Sequence, residues 1–262
     1  MPDPAATTGA AGTRLPDTGP ASRPLADERF DVPVFQTSLV FEGYIWSVRQ
    51  DTFGLNGESI TREYLDHPGA VAVLALDEHD RVLLINQYRH PVAMREWELP
   101  AGLLDISGEH PLLGAQRELA EEADVVATEW NVLSEFYTSP GGSNEAIRIY
   151  LARGVSAAAD AFARTEEEAD IEIRWVPLDE CVDAVLERRL LNPSLVTGIL
   201  AAHVARSRDW ASLGAGDAPW PRHPLNRNTA ELATADCTNA EWAARPHEHR
   251  GGCGPVPAAR HD

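Results

Sequence analysis

Apolar residues gather in the middle of this chain, and their period changes along it. From Val34 to Phe53 (VFQTSLVFEGYIWSVRQDTF) they alternate with polar residues closely enough to predict two strands, and ESITREYLDHPG continues in the same manner to Gly69. Ala70–Leu76 is a continuous apolar run and reads as a buried strand. Asp77–Asp80 reads as a turn, with Val82–Tyr88 as the hairpin partner of that strand. The spacing then becomes helical: Leu112, Ala115, Leu119 and Ala123 form a stripe behind Pro111, a residue suited to the first turn of a helix. Trp130–Tyr137 and Ala146–Ala152 predict two more strands around SPGGSNE, and Ile171–Val176 predicts another. Leu178–Arg189 and Pro193–Ala205 predict amphipathic helices.

The flanks lack this patterning. Residues 1–30, rich in Ala, Thr, Gly and Pro, read as a disordered arm. Beyond Trp210 the composition shifts to Ala, Pro, Gly, His and Asn without periodicity, so 208–262 reads as a disordered or loosely attached tail. Between them, 31–68 is a small antiparallel strand region and 69–207 the main domain. The fold class is α+β: a mixed central sheet with helices on both faces, an α/β/α sandwich.

Composition narrows the function. With 22 basic and 41 acidic residues among 262, the net charge is −19, which lacks the basic footprint that nucleic-acid binding needs. A phosphorylated small molecule stays admissible, because a bound cation can supply local positive charge. Cys181, Cys237 and Cys253 are too scattered for a disulfide framework. No apolar run is long enough to span a membrane, and the N-terminus lacks a signal's charged start and apolar stretch, so the expected location is cytoplasmic.

The densest chemistry lies in Gly102–Val125, GLLDISGEHPLLGAQRELAEEADV. Glu118 and Glu122 share a helix face, with Glu121 beside them and Arg117 just before. Like charges at this spacing destabilise a bare helix. A divalent cation would reverse that penalty, and oxygen-only ligands suit magnesium, manganese or calcium rather than zinc. The plainer reading is a solvated glutamate face, but the strand before it, the ELPAG loop and the separate apolar stripe favour a metal–phosphate site.

This stretch resembles the Nudix box, G-x5-E-x7-R-E-U-x-E-E-x-G-U with U aliphatic. Gly102, Glu109, Arg117, Glu118, Leu119, Glu121, Glu122 and Val125 fill its slots. Six residues separate Gly102 from Glu109 where the pattern has five, and Asp124 holds the last glycine slot. That slot falls at the helix C-terminus, where a left-handed residue is common and Asp tolerates the conformation better than most. QYRHP at Gln87–Pro91, WELPAG at Trp97–Gly102, Pro140 in SPG and EEADIEIRWVPLDE at Glu167–Glu180 resemble the ADP-ribose pyrophosphatase branch. The turn continues as GSNE, with glycine where that branch often has an aromatic.

The resemblance implies a Nudix-type sandwich whose box glutamates hold Mg2+ (Mn2+ as an alternative) against a pyrophosphate. Glu118 and Glu122 are then the leading metal ligands, with Glu121 beside them and the Ala101 carbonyl added. Glu109 pairs with Arg117 and orients the acid face; it also suits a helix N-terminus as an acid. Glu168, or its neighbour Glu167, is the candidate base; without the resemblance, Glu166–Glu168 is an ordinary acidic loop. Arg89 is a candidate phosphate clamp or a surface ion pair. Glu98 is a candidate ligand or ribose-hydroxyl contact, or a strand-edge acid. Trp46 is a candidate adenine stack, or a core or interface residue. Pro140 marks the terminal-ribose side. His90, His247, His249 and Cys253 form no complete zinc set. The resemblance also implies a homodimer through 31–68, on the adenine side.

The implied activity is Mg-dependent hydrolysis of ADP-ribose to AMP and ribose 5-phosphate. A nucleotide sugar, another dinucleotide or an oxidised nucleoside triphosphate would need the same chemistry. A non-catalytic ADP-ribose-binding module is a third reading, disfavoured because every box glutamate is present.

Overall fold

The computed structural model describes residues 24–159 and 171–223. The alternating N-terminal segment forms an antiparallel sheet of β1 (Val34–Glu42), β2 (Ser47–Leu55) and β3 (Glu58–Asp66), in that order. The β2–β3 hairpin turns on Asn56 and Gly57, both at positive φ (52° and 82°), which matches the twist of a two-residue hairpin. This sheet is tied to the loop that carries SPG. Leu65 N–H donates to the Gly142 carbonyl (2.9 Å), and the Asn144 amide donates to Asp66 Oδ1 (2.7 Å).

The chain continues through β4 (Ala70–Ala75), β5 (Arg81–Arg89), β6 (Met94–Glu98) and β7 (Ala101–Leu103) into helix α1 (Pro111–Ala123). It then forms the long hairpin β8 (Val125–Tyr137) and β9 (Ala146–Ala157), followed by β10 (Glu172–Pro177), α2 (Leu178–Leu186), α3 (Pro193–Arg206) and the short β11 (Gly214–Ala215). One sheet runs β11-β8-β9-β4-β7, parallel only between β4 and β9; the other runs β10-β5-β6 and is antiparallel.

Alternation along the buried strands divides the interior between two helical layers. Val71, Val73, Ala75, Leu83 and Ile85 pack with Ala115, Leu119 and Ala123 of α1. Ala72, Leu74, Leu84, Ile149 and Leu151 pack with Leu178, Cys181, Leu195 and Ile199 of α2 and α3. The result is the three-layer α/β/α arrangement with a mixed sheet.

Three details differ from the sequence reading. β4 and β5 are not a hairpin: among the described residues a single bridge, Leu76 to Val82, joins them. Both edges of β4 are taken, by β9 and β7, so after the Asp77–Asp80 turn β5 pairs with β6 and β10. Trp46 lies in the turn just before β2, exposed, rather than within a strand. Finally, the packed chain passes residue 207 and continues to His223. Gly214 and Ala215 pair with β8, and Trp220 is buried in the α1-side core.

The anchor of that C-terminal strap is Arg148 on β9, which is 1% exposed. It donates to the carbonyls of Ala218 (2.7 Å) and Pro219 (3.0 Å) and to Glu135 Oε1 (2.6 Å), and its guanidinium lies 4.8 Å from the Trp220 ring centroid. A buried cation must be neutralised and hydrogen-bonded, and the strap supplies the carbonyls that do the second.

Candidate active site

Local sequence chemistry sets α1. The His110 side chain caps its start, accepting from Leu112 N (3.2 Å), and Pro111 fills the first turn. Asp124 ends it in the left-handed conformation (φ 53°, ψ 35°), its N–H returning to the Ala120 and Leu119 carbonyls. The register of the acids is therefore fixed at both ends, and the additional loop residue after Gly102 leaves it unchanged. Ala115, Leu119 and Ala123 fill the core, which turns the carboxylate flank towards β7.

There the fit is close. Ala101 N–H donates to Glu122 Oε2 (2.8 Å), and Glu122 is 5% exposed. A Cβ at Gly102 would overlap the Glu118 carboxylate, so the glycine's missing side chain is the seat of that acid. Arg117 gathers the other oxygens: Nη1 meets Glu118 Oε1 (2.6 Å) and Glu121 Oε2 (3.0 Å), while Nε and Nη2 meet Glu109 (3.1 and 3.2 Å). Burial alone would make Arg117 easier to deprotonate, but its bonds and charges to Glu109 and Glu118 outweigh that and raise its pKa. Gly114 lets Glu109 lie against the helix, since a Cβ there would stand 3.0 Å from Glu109 Oε2.

Three carboxylates thus surround one guanidinium, and a fourth, Glu122, is held at the Ala101 amide. Among the described residues no three His, Cys, Asp or Glu side chains already converge on an ion position. Glu122 and Glu118 instead meet β7 at successive residues, the first at the Ala101 amide and the second against Gly102. These are all-oxygen donors with excess negative charge, a set that fits a hard divalent cation completed by water and phosphate.

Arg89 and Glu98 come together at the ends of β5 and β6. Arg89 Nε and Nη2 donate to Glu98 Oε1 (2.8 Å) and Oε2 (2.7 Å), a bidentate pair. Glu98 is 3% exposed, while the Arg89 side chain remains 41% exposed. Pro140 lines a pocket of about 280 Å³ with Asp27, Tyr137, Trp220 and Arg222. Trp46 sits in the turn between β1 and β2 of the N-terminal sheet. Glu166, Glu167 and Glu168, with His247, His249 and Cys253, lie outside the described residues. Beyond Glu168, Glu172 pairs with Asn86 on the strand that carries Arg89.

Sequence reasoning passed over Gly114, Arg148 and Gln87. A lone arginine inside the apolar strand AIRIYLA was the available signal for Arg148. Gln87 stood inside the QYRHP motif and drew no role of its own.

The family model described as NUDIX domain matches residues 66–194. An ADP-ribose pyrophosphatase of Mycobacterium tuberculosis is 40% identical over 174 residues, covering 66% of this chain and 84% of that protein. The chain belongs to the Nudix family. A methanol dehydrogenase activator of Bacillus methanolicus is 33% identical, covering 65% of this chain and 91% of its own length. The same fold is seen in a solved structure, "Crystal structure of ADP compounds hydrolase", which superposes with a TM-score of 0.58 at 17% identity, over 70% of this chain and 98% of that one. This chain is a Nudix pyrophosphohydrolase, an enzyme class that works with divalent metal ions. Among the described residues no helix is long and apolar enough to cross a membrane.

Proposed function

We propose that this Nudix enzyme hydrolyses the pyrophosphate bond of ADP-ribose to AMP and ribose 5-phosphate, with Mg2+ as cofactor and Mn2+ as a substitute. The observation that carries the reading is the seating of Glu118 and Glu122 against Ala101 and Gly102, beside an Arg117 that cannot neutralise them all. The 40% identity to an ADP-ribose pyrophosphatase supports the substrate.

Glu118, Glu122 and the Ala101 carbonyl would hold the cation, with Glu121 flanking. A cation bound there would neutralise charge on the phosphate oxygens and make a nearby water more acidic. Arg117, braced by Glu109, keeps the acid flank in register. Arg89 presents a planar fork to a phosphate, held in place by Glu98. Glu168, with Glu167 adjacent, accepts the proton of the attacking water; an O–P bond forms as the bridging P–O bond breaks and the other phosphate leaves. Pro140 shapes the terminal-ribose side.

The N-terminal sheet exposes Phe35 (64%), Phe41 (57%) and Trp46 (41%). Large exposed apolar patches mark association surfaces. A homodimer through this sheet, with Trp46 stacking on adenine, accounts for that exposure.

The test is turnover of the purified chain with ADP-ribose and Mg2+, compared by kcat/KM with nucleotide sugars and dinucleotides. Release of AMP and ribose 5-phosphate that is lost in Glu122→Gln supports the reading. Absence of turnover, or turnover that survives the substitution unchanged, removes it.

A further inference from the structure

Gln87 is 6% exposed, and its buried Oε1 has no hydrogen-bond partner among the described residues. Buried polar atoms are nearly always paired, and an unpaired one carries a desolvation cost that a fold retains for a reason. Apolar residues of similar size would fill this position without that cost.

Its surroundings indicate the reason. Side chains alternate along a strand, so Gln87 lies on the same side of β5 as Leu83 and Ile85, which pack against α1, and as Arg89. Across the sheet, Gln87 is in register with Glu96, and Ile85 with Glu98. Gln87 therefore stands between the α1 core and the Arg89–Glu98 pair, two residues from the phosphate fork. Neighbouring positions on one face of a strand are about 7 Å apart, roughly the span from a phosphate to an adjoining sugar hydroxyl. The carboxylates around it are acceptors, so they compete for protons and supply none. The matching ligand group is an O–H donor.

We propose that Gln87 is a further substrate-binding residue, whose side-chain carbonyl accepts a hydrogen bond from a ribose hydroxyl of the bound nucleoside diphosphate sugar. This rests on the ADP-ribose reading above. A site that hydrogen-bonds a hydroxyl discriminates against the analogue lacking it, because the buried partner is then left unpaired. Gln87 thus serves substrate choice rather than the bond-breaking step.

The experiment measures kcat/KM for ADP-ribose, 2′-deoxy-ADP-ribose and ADP-2″-deoxyribose, using wild type and Gln87→Leu at saturating Mg2+. Wild type is expected to prefer ADP-ribose over one deoxy analogue by about tenfold. Gln87→Leu is expected to erase that preference, mainly through KM, while its Tm equals or exceeds that of wild type. A preference that persists in Gln87→Leu overturns the proposal. So does equal loss on all three substrates with a lowered Tm, which marks a packing role. A raised Mg2+ requirement with the sugar preference intact also overturns it, because the donor is then a metal-held water. A wild type that turns over none of the three removes the ADP-ribose reading itself; intact turnover with unaltered preference removes only the role of Gln87.

Discussion

Two charge clusters lie on the α1 side of this sheet, and they are built on opposite principles. Around Arg117, the carboxylates of Glu109, Glu118 and Glu121 crowd one guanidinium, with Glu122 close by at the Ala101 amide. Around Arg148, one guanidinium meets one carboxylate, and the remaining donors are met by two backbone carbonyls and an aromatic face. The second cluster is balanced and closed; it holds the strap 214–223 and asks for nothing further. The first sets three carboxylates on one guanidinium, an excess that the proposed cation would balance. An excess of one charge at a half-buried place points to a ligand, whereas a balanced buried pair points to architecture.

The largest expected effect separates the clusters by readout. Glu122→Gln keeps a group that can accept from Ala101 N–H but removes the charge. It should lower kcat/KM by about a thousandfold, on the order of 4 kcal/mol, with Tm little changed. The reverse pattern is expected at the other cluster. Arg148→Met leaves Glu135 without its partner and releases the carbonyls of Ala218 and Pro219, which should cost about 3 kcal/mol in a denaturant titration. Its kcat should stay near wild type where the protein remains folded. If Arg148→Met abolished turnover without loss of stability, the division between the clusters would be wrong.

Acid offers a finer probe. Burial, followed by the nearby Arg148 charge, depresses the His223 pKa from 6.5 to about 4. The unfolded chain therefore binds the proton first. The stability contributed by neutral His223 is complete above the unfolded value and declines as pH falls through the window from 6.5 to about 4. His67 is shifted in the same direction, chiefly by burial, and adds to the slope. His223→Gln should remove about 2 kcal/mol of the acid-induced loss, measured by denaturation at neutral pH and near pH 4.5. An unaltered pH profile would mean that the strap does not bury this ring.

The smallest effect concerns the motif's own departure. Asp124 already adopts the left-handed conformation at φ 53°. Asp124→Gly should therefore stabilise by only about 0.5 kcal/mol, with kcat/KM unchanged. A large gain in activity would show that the glycine slot does more than end the helix.

The legible parts of the molecule are those governed by local rules. Helix α1, its cap at Asp124 and the facing of Glu118 and Glu122 follow from residues a turn apart. So do the buried character of β4 and the hairpin β8–β9. What escaped depends on pairing between distant segments. Nothing within residues 70–89 indicates that both edges of β4 are taken, so the local pattern points β5 to the wrong neighbour. Nothing near residue 214 shows that β8 has an edge waiting for it. Arg148 announced a partner but not which one, since backbone carbonyls carry no sequence signature. Gly102 and Gly114 matter through the space they leave for Glu118 and Glu109, and that space exists only after β7 meets α1.

The most direct test is a titration of the purified chain with Mn2+, followed by the loss of free-ion paramagnetic resonance, for wild type and for Glu118→Gln and Glu122→Gln. The carboxylate excess on α1 predicts saturable uptake by wild type, weakened at least about tenfold by either substitution. Uptake that is absent in wild type, or identical in all three proteins, would contradict it and reduce these acids to a charged helix face.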